Sequence, residues 1–305
     1  MKTRLLLAIL ATLLLALFGV RHALRHYHRA PTAQPIRAPH GPASPSGTTT
    51  ADAPLAPVLV PPPAPPLLVS TQANFTFFLC GDNRGGEDIF RQILHAANAQ
   101  PAAFLLSTGD MVPHSSQAHW AHFAQLMSTC RVPFFPVAGN HDVHNDDTAS
   151  FVSWTPTHQA HYSFDYGQLH FTMANDSQDM RTDELAWLDA DLSASSQPVK
   201  IVAHHHPAWN PRGPAYGMQQ NREAFLAILQ KHAVRYDVCG HDHGYQTGST
   251  NGTTLIISGG AGAPLYHTED QGGFNHYVEF TVTGTNLSFR PVRIHPHGAP
   301  AQPRE

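Results

Sequence analysis

The stretch that decides the fold is "VPFFPVAGNHDVH", residues 132–144, where an apolar run passes through a glycine into Asn140, His141 and Asp142. Apolar runs of this kind predict a buried strand. The end of such a strand is where an open α/β sheet presents its functional groups. Because Gly-Asn is also ordinary turn chemistry, this stretch alone leaves open whether it forms a turn or a site.

Strand and helix patterns alternate along the chain beyond this stretch. Apolar and aromatic runs predict strands at residues 75–80, 102–106, 132–137, 162–165, 169–173, 199–203, 236–239, 253–258, 276–283 and 287–292. Helical spacing of apolar residues predicts helices at residues 87–98, 117–127, 183–192 and 222–232. The alternation predicts the α/β class, with a mixed sheet covered by helices on its faces.

Composition narrows the class of protein. The 305 residues suffice for one large domain or two small ones. Only 13% of them are charged, against about 25% in a typical soluble protein. The formal net charge of −4 offers no basic face, so we expect no nucleic-acid binding. Cys80, Cys130 and Cys239 are too few and too scattered for a disulfide framework or a zinc ribbon, although one disulfide stays open.

The first thirty residues predict a membrane segment. Lys2 and Arg4 precede an unbroken apolar run at residues 5–20, which either a signal peptide or an uncleaved anchor would explain. No clear Ala-x-Ala cleavage site follows the run, and this favours the anchor. Both flanks of the run are basic, so the positive-inside rule leaves the orientation open.

Residues 31–70 are rich in Pro, Ala, Ser and Thr, with "VPPPAPP" at residues 60–66. Such a segment is expected to be an extended or disordered linker, and it resembles a spacer that lifts a domain off a membrane. We therefore expect the folded part outside the cytoplasm, on the periplasmic or extracellular side. The predicted divisions are a membrane segment at 1–30, the linker at 31–70, a folded domain at 71–295 and a flexible tail at 296–305.

Five polar clusters follow predicted strands. They are "CGDNRGG" (80–86), "STGDMVPH" (107–114), "GNHD" (139–142), "AHHHP" (203–207) and "CGHDHG" (239–244). Four of them carry a glycine just before the polar residue, which lets the backbone turn sharply and lets another group come close. One such cluster would be ordinary turn or surface chemistry. Five clusters at strand ends in one chain indicate a site.

The side chains in these clusters are carboxylates, an amide and imidazoles, without a thiolate. That set suits Mn²⁺, Fe or Zn²⁺ and does not suit a soft metal ion. It has more members than one tetrahedral ion needs. Two ions about 3.5–4 Å apart, bridged by a shared carboxylate, fit the set better, and such pairs serve phosphoester hydrolysis.

The order of the motifs resembles that of the calcineurin-like metallophosphoesterases. The resemblance is carried by Asp82, Gly109-Asp110, Gly139-Asn140-His141-Asp142, His205 and Gly240-His241-x-His243. The flanking segments are most similar to the branch with purple acid phosphatases: "HYSFDYGQLHF" (161–171), "DELAWLDADL" (183–192), "HHPAW" (205–209) and "SGGAGAPLY" (258–266). This resemblance implies a four-layer sandwich, in which helices flank two mixed β-sheets, and hydrolysis of phosphomonoesters or phosphodiesters.

The resemblance also implies roles for individual residues. It assigns the metal ligands as follows: Asp82 and His243 to the first ion, Asn140, His205 and His241 to the second, and Asp110 to both. A hydroxide held between the ions is the implied nucleophile, because metal coordination lowers the pKa of water towards neutrality. His141 is the implied general acid for the leaving oxygen, with Asp142 orienting its ring.

The first metal site departs from the best-known patterns. Many relatives have Asp-x-His at the first cluster, where this chain has Arg84. Purple acid phosphatases have Tyr three residues after the bridging Asp, where this chain has Pro113. Either fewer protein ligands plus water hold the first ion, or His114 reaches in. Arg84 suits a catalytic phosphate clamp, and a structural ion pair is the other interpretation.

Two functions stay open on the sequence alone. The first is a metal-dependent phosphoesterase that acts on a small phosphoester substrate. The second is a membrane-tethered protein that binds phosphate or nucleotides through an incomplete, inactive metal site. The presence of every second-site ligand and of His141 favours the enzyme. The loop at residues 210–223 offers Arg212, Tyr216 and Arg222 as candidate substrate contacts.

Overall fold

The computed structural model describes residues 70–145 and 147–295 of the chain. The predicted membrane segment, almost all of the predicted linker and the predicted tail lie outside these ranges. Within them, no helix is both long enough and apolar enough to span a membrane.

Eleven strands and five α-helices make up the described part of the chain. The strands are β1 (Asn74–Cys80), β2 (Ala102–Ser107), β3 (Phe134–Pro136), β4 (Tyr162–Tyr166), β5 (Leu169–Met173), β6 (Val199–Ala203), β7 (Tyr236–Cys239), β8 (Tyr245–Thr250), β9 (Thr253–Ser258), β10 (His276–Thr283) and β11 (Asn286–Arg293). The helices are α1 (Glu87–Ala99), α2 (Gln117–Met127), α3 (Ala149–Val152), α4 (Thr182–Ala194) and α5 (Arg222–Lys231).

The strands form two mixed β-sheets. The first sheet has the order β11-β10-β1-β2-β3, and the second has the order β4-β5-β6-β7-β9-β8. Neighbouring strands run parallel in β1-β2-β3 and in β5-β6-β7-β9, and the other neighbours are antiparallel. Parallel neighbours need long crossover connections, which is why helices separate most of these strands in the sequence.

The two sheets pack face to face over an aromatic core. Phe77 of β1 stacks on Phe280 of β10, with ring centroids 4.6 Å apart, and meets Phe171 of the second sheet edge-on at 5.4 Å. Phe104 of β2 also contacts Phe171 edge-on, at 5.4 Å. Because aromatic pairs favour such specific arrangements, these rings fix the position of one sheet on the other.

Helices cover the outer face of each sheet. Phe78 of β1 points away from the aromatic core and packs with Phe90 of α1 and Phe123 of α2, as the alternation of side chains along a strand requires. Val202 of β6 packs in the same way with Phe225 of α5. The result is a four-layer sandwich of helices, sheet, sheet and helices. The predicted α/β class with two mixed sheets is confirmed.

The sequence-based assignment missed strand β8 and the short helix α3. Strand β8 lies at the edge of the second sheet, and its residues are polar and only partly buried, so no apolar run marks it. The disulfide that the sequence left open is not formed, because Cys80, Cys130 and Cys239 are all free.

Candidate metal centre

Strands of both sheets end level with their neighbours. Cys80 of β1 pairs with Ser107 of β2, and Ser107 pairs with Pro136 of β3. In the second sheet, Ala203 of β6 pairs with Val238 of β7. Each polar cluster begins just after one of these ends, so the loops that carry the clusters lie side by side.

Four electron-pair donors from Asp110, Asn140, His205 and His241 surround a common point, and we call them the four-donor cluster. Asn140 Oδ1 lies 3.1 Å from His205 Nε2 and 3.1 Å from His241 Nδ1. The two ring nitrogens are 3.2 Å apart, and Asp110 Oδ1 lies 3.5 Å from His205 Nε2. The structure thus brings together every ligand that the sequence assigned to the second ion.

The imidazoles of this cluster present lone pairs. The Nδ1–H of His205 donates to the carbonyl of Thr108 at 2.7 Å, so Nε2 is the free acceptor. Burial, and then the neighbouring His205 and His206 rings, lowers the pKa of His241 to about 2, which keeps that ring neutral. His205 Nε2 and His241 Nδ1 both face the amide oxygen of Asn140, and imidazole nitrogens with amide and carboxylate oxygens form a set of donors suited to a cation.

Asp110 lies between two groups of donors. Burial would raise the pKa of its carboxyl, but His205, His141 and Arg84 together hold that pKa below its usual value. Its Oδ1 accepts the backbone N–H of His141 at 3.0 Å and faces His205. Its Oδ2 bonds to Arg84. The two oxygens therefore face different partners, as a bridging ligand requires.

Asp82, Asp110 and His243 form the other group, which we call the three-donor cluster. Their ligand atoms lie within 4.8 Å of one another. The Nδ1–H of His243 donates to the carbonyl of Pro264 at 2.6 Å, which leaves Nε2 facing Asp82 Oδ1 at 3.4 Å. Oδ1 of Asp82 is buried and has no hydrogen-bond partner among the described residues. A cation would satisfy this oxygen, whose burial without a partner is otherwise costly.

Three ligand residues have a left-handed backbone. The φ angles are 60° at Asp82, 55° at Asp110 and 66° at His241. For residues other than glycine this conformation costs about 1–3 kcal/mol and clusters at functional sites. Hydrogen bonds hold it in place: the N–H of Asp82 donates to the carbonyl of Gly109 at 2.9 Å, and that of His241 donates to Asp82 Oδ2 at 3.0 Å.

Arg84 lies beside the three-donor cluster. Its Nε is 3.0 Å from Asp110 Oδ2, and its Nη2 is 3.5 Å from His243 Nε2. Of the two interpretations that the sequence left open for Arg84, the structure shows the ion pair. His114 is exposed, with its ring centroid 5.9 Å from that of His141, and it is not a member of either cluster.

His141 lies at the solvent side of the clusters, with its side chain 25% exposed. Its Nδ1–H donates to the carbonyl of Pro113 at 2.6 Å. Its Nε2 lies 3.9 Å from Asp110 Oδ2. Nε2 is therefore the ring atom that can exchange a proton with a bound molecule.

Asp142 does not have the predicted role of orienting the His141 ring. The carbonyl of Pro113 orients that ring instead. The carboxylate of Asp142 is fully buried and accepts four backbone N–H groups, at 2.7–3.2 Å, from Gly139, Asp110, Met111 and Val112. Asp142 thus ties together the loops that follow β2 and β3, and it positions the ligands on them.

The sequence interpretation missed Asp176, a fully buried carboxylate after β5. It accepts the N–H of His205 at 2.7 Å and that of His206 at 2.8 Å, and it contacts Nδ1 of His204 at 3.1 Å. Asp237 of β7 contacts the other nitrogen of the His204 ring at 2.7 Å. The available signal was that Asp176 lies at a sixth polar strand end.

The donors fit divalent ions of the first transition row. Imidazole nitrogens with carboxylate and amide oxygens are ligands that Zn²⁺, Mn²⁺ and Fe accept. The donor separations of 3.1–3.5 Å in the four-donor cluster suit an ion with bonds of about 2.0–2.2 Å. His206 lies close enough to His205 and His241 to add a further donor. The three-donor cluster fits less completely, because Arg84 already contacts two of its members.

A four-layer sandwich with such donor clusters at its strand ends is the architecture of a metallophosphoesterase. The chain belongs to the calcineurin-like phosphoesterase family, whose sequence profile matches residues 75–245. The resemblance that the motif order indicated is thereby confirmed.

Known relatives match parts of the chain. A "Probable cyclic nucleotide phosphodiesterase" of Moraxella catarrhalis (strain BBH18) is 29% identical over 177 residues, which cover 50% of this chain and 62% of that protein. The "Tartrate-resistant acid phosphatase type 5" of Sus scrofa is 33% identical over 79 residues, which cover 25% of this chain and 22% of that protein. The chain therefore covers less than two thirds of the length of each.

A solved structure supports the fold. The purple acid phosphatase PPD1 from yellow lupin (Lupinus luteus) seeds matches with a TM-score of 0.60 at 17% identity. The match covers 73% of this chain and 52% of that one. At this identity the likeness concerns the arrangement of strands and helices.

Proposed function

We propose that this protein hydrolyses phosphoesters with the help of two metal ions. The observation that supports this most is the four-donor cluster, in which two imidazole nitrogens, an amide oxygen and a carboxylate oxygen have neighbour distances of 3.1–3.5 Å. When bound, the ions would acidify a water molecule and neutralise charge on the phosphoryl oxygens. Mn²⁺, Fe and Zn²⁺ are the candidate ions.

In this proposal the protein residues hold the ions and move one proton. The two clusters would hold one ion each, and Asp110 would be a member of both. His141 donates the proton from Nε2 to the leaving oxygen as general acid. Its hydrogen bond to Pro113 keeps a proton on Nδ1 and so presents Nε2 to the substrate. Asp142 and Asp176 keep the ligand loops in place through backbone N–H groups.

The alternative, a phosphate- or nucleotide-binding protein with an inactive site, is less well supported. An inactive site would need neither a full set of second-site ligands nor a histidine fixed beside them. In this chain the four-donor cluster is complete, and His141 is held by hydrogen bonds at both its backbone N–H and its ring.

We propose a small phosphomonoester or phosphodiester as the substrate. The names of the relatives, an acid phosphatase and a cyclic nucleotide phosphodiesterase, support these two classes. Among the candidate contacts, the guanidinium of Arg212 lies 3.8 Å from the centre of the Tyr216 ring and 5.2 Å from that of Tyr266. Tyr266 stacks on His243 at 4.0 Å, so the Tyr266 ring lies next to the three-donor cluster, with Arg212 beside it.

Three substitutions test the proposal. Asp110→Asn and His205→Ala should abolish hydrolysis of an aryl phosphate and remove bound metal. The first removes the charge and one oxygen of the carboxylate common to both clusters, and the second removes a ring nitrogen. His141→Ala should slow hydrolysis about 10²–10⁴-fold while the metal stays bound, because the proton donor is lost. Initial rates with added Mn²⁺ and elemental analysis of the purified protein measure both effects.

The exposed His122 on α2 provides the control, since His122→Ala should change neither the rate nor the metal content. Full activity in Asp110→Asn would contradict the proposed function. Loss of metal from a folded His141→Ala variant would contradict the division of roles between ligands and proton donor.

We further propose that an N-terminal anchor holds the domain outside the cytoplasm. The support is the apolar run at residues 5–20 followed by the proline-rich segment. The full chain should stay in the membrane fraction after an alkaline wash, and protease added to cells whose outer envelope layers have been removed should cleave it. Release into the soluble fraction would contradict the anchor.

A further inference from the structure

Arg84 adds a permanent positive charge to the metal centre. Its Nε bonds to Asp110 Oδ2 at 3.0 Å, and its Nη2 lies 3.5 Å from His243 Nε2. The side chain of Arg84 is 21% exposed and that of Asp110 is 2% exposed, so water screens this pair only weakly. A guanidinium stays protonated throughout the working range of proteins, so the charge is a fixed part of the site.

The backbone around Arg84 is preorganised for this contact. The N–H of Arg84 donates to the carbonyl of Asp110 at 3.1 Å, so backbone and side chain bind the same residue. The chain then turns at Gly85, where φ is +74°. Gly86 packs directly on the backbone of Gly262, and a Cβ at residue 86 would overlap it. The segment is therefore fixed between two loops, and the ion pair is part of its structure.

The two clusters differ as a result. The four-donor cluster contains one carboxylate, Asp110, and its other three donors are an amide oxygen and two imidazole nitrogens. The three-donor cluster contains two carboxylates, but Arg84 offsets one negative charge and uses Oδ2 of Asp110. Arg84 also faces Nε2 of His243, which is the nitrogen available to an ion. A cation that enters this cluster meets both competition for its ligands and repulsion from a like charge.

We propose that the Arg84 guanidinium partly replaces the first cation, so that the three-donor cluster binds metal at least about tenfold more weakly than the four-donor cluster. This inference rests on the proposed function, because it concerns the same metal centre. One ion is then held firmly, and the other exchanges with the solution. Arg84 is a positioning residue, since it acts through Asp110.

Metal titration of the full-length protein tests the inference without measuring activity. The protein is stripped of metal and titrated with Mn²⁺ alone in a calorimeter, and the metal retained after dialysis is counted. The wild type should bind one ion tightly and a second weakly. Arg84→Gln should tighten the second step at least about tenfold, or about 1.4 kcal/mol. It should also retain two ions per chain, whereas Arg84→Lys, which keeps the charge, should retain one.

Arg290→Ala is the matched control, because it removes another arginine–carboxylate pair, with Glu279 on the first sheet. It should leave both binding steps unchanged. Two equal steps in the wild type would overturn the inference but leave the proposed function intact, and this test does not need a variant that folds. If neither the wild type nor any variant bound metal, the proposed function itself would be overturned.

Discussion

The candidate metal centre has two halves, one from each sheet, and each half contains a buried aspartate that lies outside both donor clusters. In the half from the first sheet, Asp142 accepts four backbone N–H groups from the loops after β2 and β3. In the half from the second sheet, Asp176 accepts the N–H groups of His205 and His206 and contacts the His204 ring. Both carboxylates position ligands through the backbone.

The two aspartates differ in what balances their charge. Burial, and then the nearby Asp110, raises the pKa of Asp142, and backbone N–H groups oppose the rise. Burial would also raise the pKa of Asp176, but His204 and His206 hold it well below its usual value. Asp237 shares the His204 ring. The first half therefore depends on one carboxylate, Asp142, which backbone N–H groups bind. The second half has two carboxylates, Asp176 and Asp237, and both contact the His204 ring.

Asp142→Asn should have the largest effect, because the Asp142 carboxylate accepts four backbone N–H groups of the first half. An amide has one acceptor oxygen, so two of the four N–H groups would face an N–H₂ group instead. Each buried donor left without an acceptor costs about 1–3 kcal/mol, so the free energy of unfolding should fall by about 2–6 kcal/mol. Urea denaturation measures this change.

Asp147→Asn is the matched control for that substitution. Asp147 is exposed and accepts one N–H group, from Ala149 at 2.9 Å. Its replacement should change the free energy of unfolding by no more than about 0.5 kcal/mol. Equal stability of the Asp142→Asn and Asp147→Asn variants would show that the first half is anchored by something else.

Asp176→Asn should have a smaller effect on stability, because Asp237 still pairs with His204. One of the two N–H groups loses its acceptor, which should lower the free energy of unfolding by about 1–3 kcal/mol. The Kd for metal should rise about 10–100-fold, because residues that orient ligands have effects of this size. Urea denaturation and metal titration measure the two changes.

Asp237→Asn tests which contact of Asp176 positions His205: the one with the His204 ring or the hydrogen bonds from backbone N–H groups. It removes the negative charge beside Nε2 of the His204 ring but leaves the N–H groups of His205 and His206 bonded to Asp176. It should therefore keep the wild-type affinity for metal. If it weakened metal binding as much as Asp176→Asn does, the His204 ring, and not the backbone N–H groups, would be what positions His205.

Most of the fold was predictable because burial leaves a pattern in the sequence. The apolar runs of β1, β2 and β6 are buried between two layers, and such strands read as continuous hydrophobic segments. Strand β8 leaves no such pattern, because it lies at a sheet edge and its side chains are polar. Its place is decided by pairing with β9, which the local sequence does not reveal.

The candidate ligands were also predictable, since strand ends that lie level bring their polar residues together. The roles of Asp142 and Asp176 were not predictable. A carboxylate that binds backbone N–H groups looks the same in a sequence as one that binds a metal or orients a histidine. The contact of Arg84 with Asp110, 26 residues away, likewise depends on how two loops meet.

A third network, which is only partly buried, makes the comparison sharper, because it lies in the second sheet but holds none of the loops with candidate ligands. His170 of β5 lies 2.6 Å from Asp165 and 3.0 Å from Asp191 of α4. Burial lowers the pKa of His170, but the hydrogen bonds with Asp191 and Asp165 outweigh burial and raise that pKa above its usual value. The resulting stability is present below the unfolded pKa of about 6.5 and is lost as pH rises through the folded pKa.

His170→Gln should therefore lower the free energy of unfolding less than Asp142→Asn or Asp176→Asn does. Its effect should also depend on pH. At pH 6 the free energy of unfolding should fall by about 1 kcal/mol, and the difference from the wild type should shrink as the pH is raised. Metal content should not change, because neither His170 nor its partners contact a ligand loop through the hydrogen bonds that the structure describes. Urea denaturation from pH 6 to pH 9 and elemental analysis measure both. Loss of metal from this variant would mean that any buried charge network in the second sheet supports the ligands, and the special position of Asp176 would be disproved.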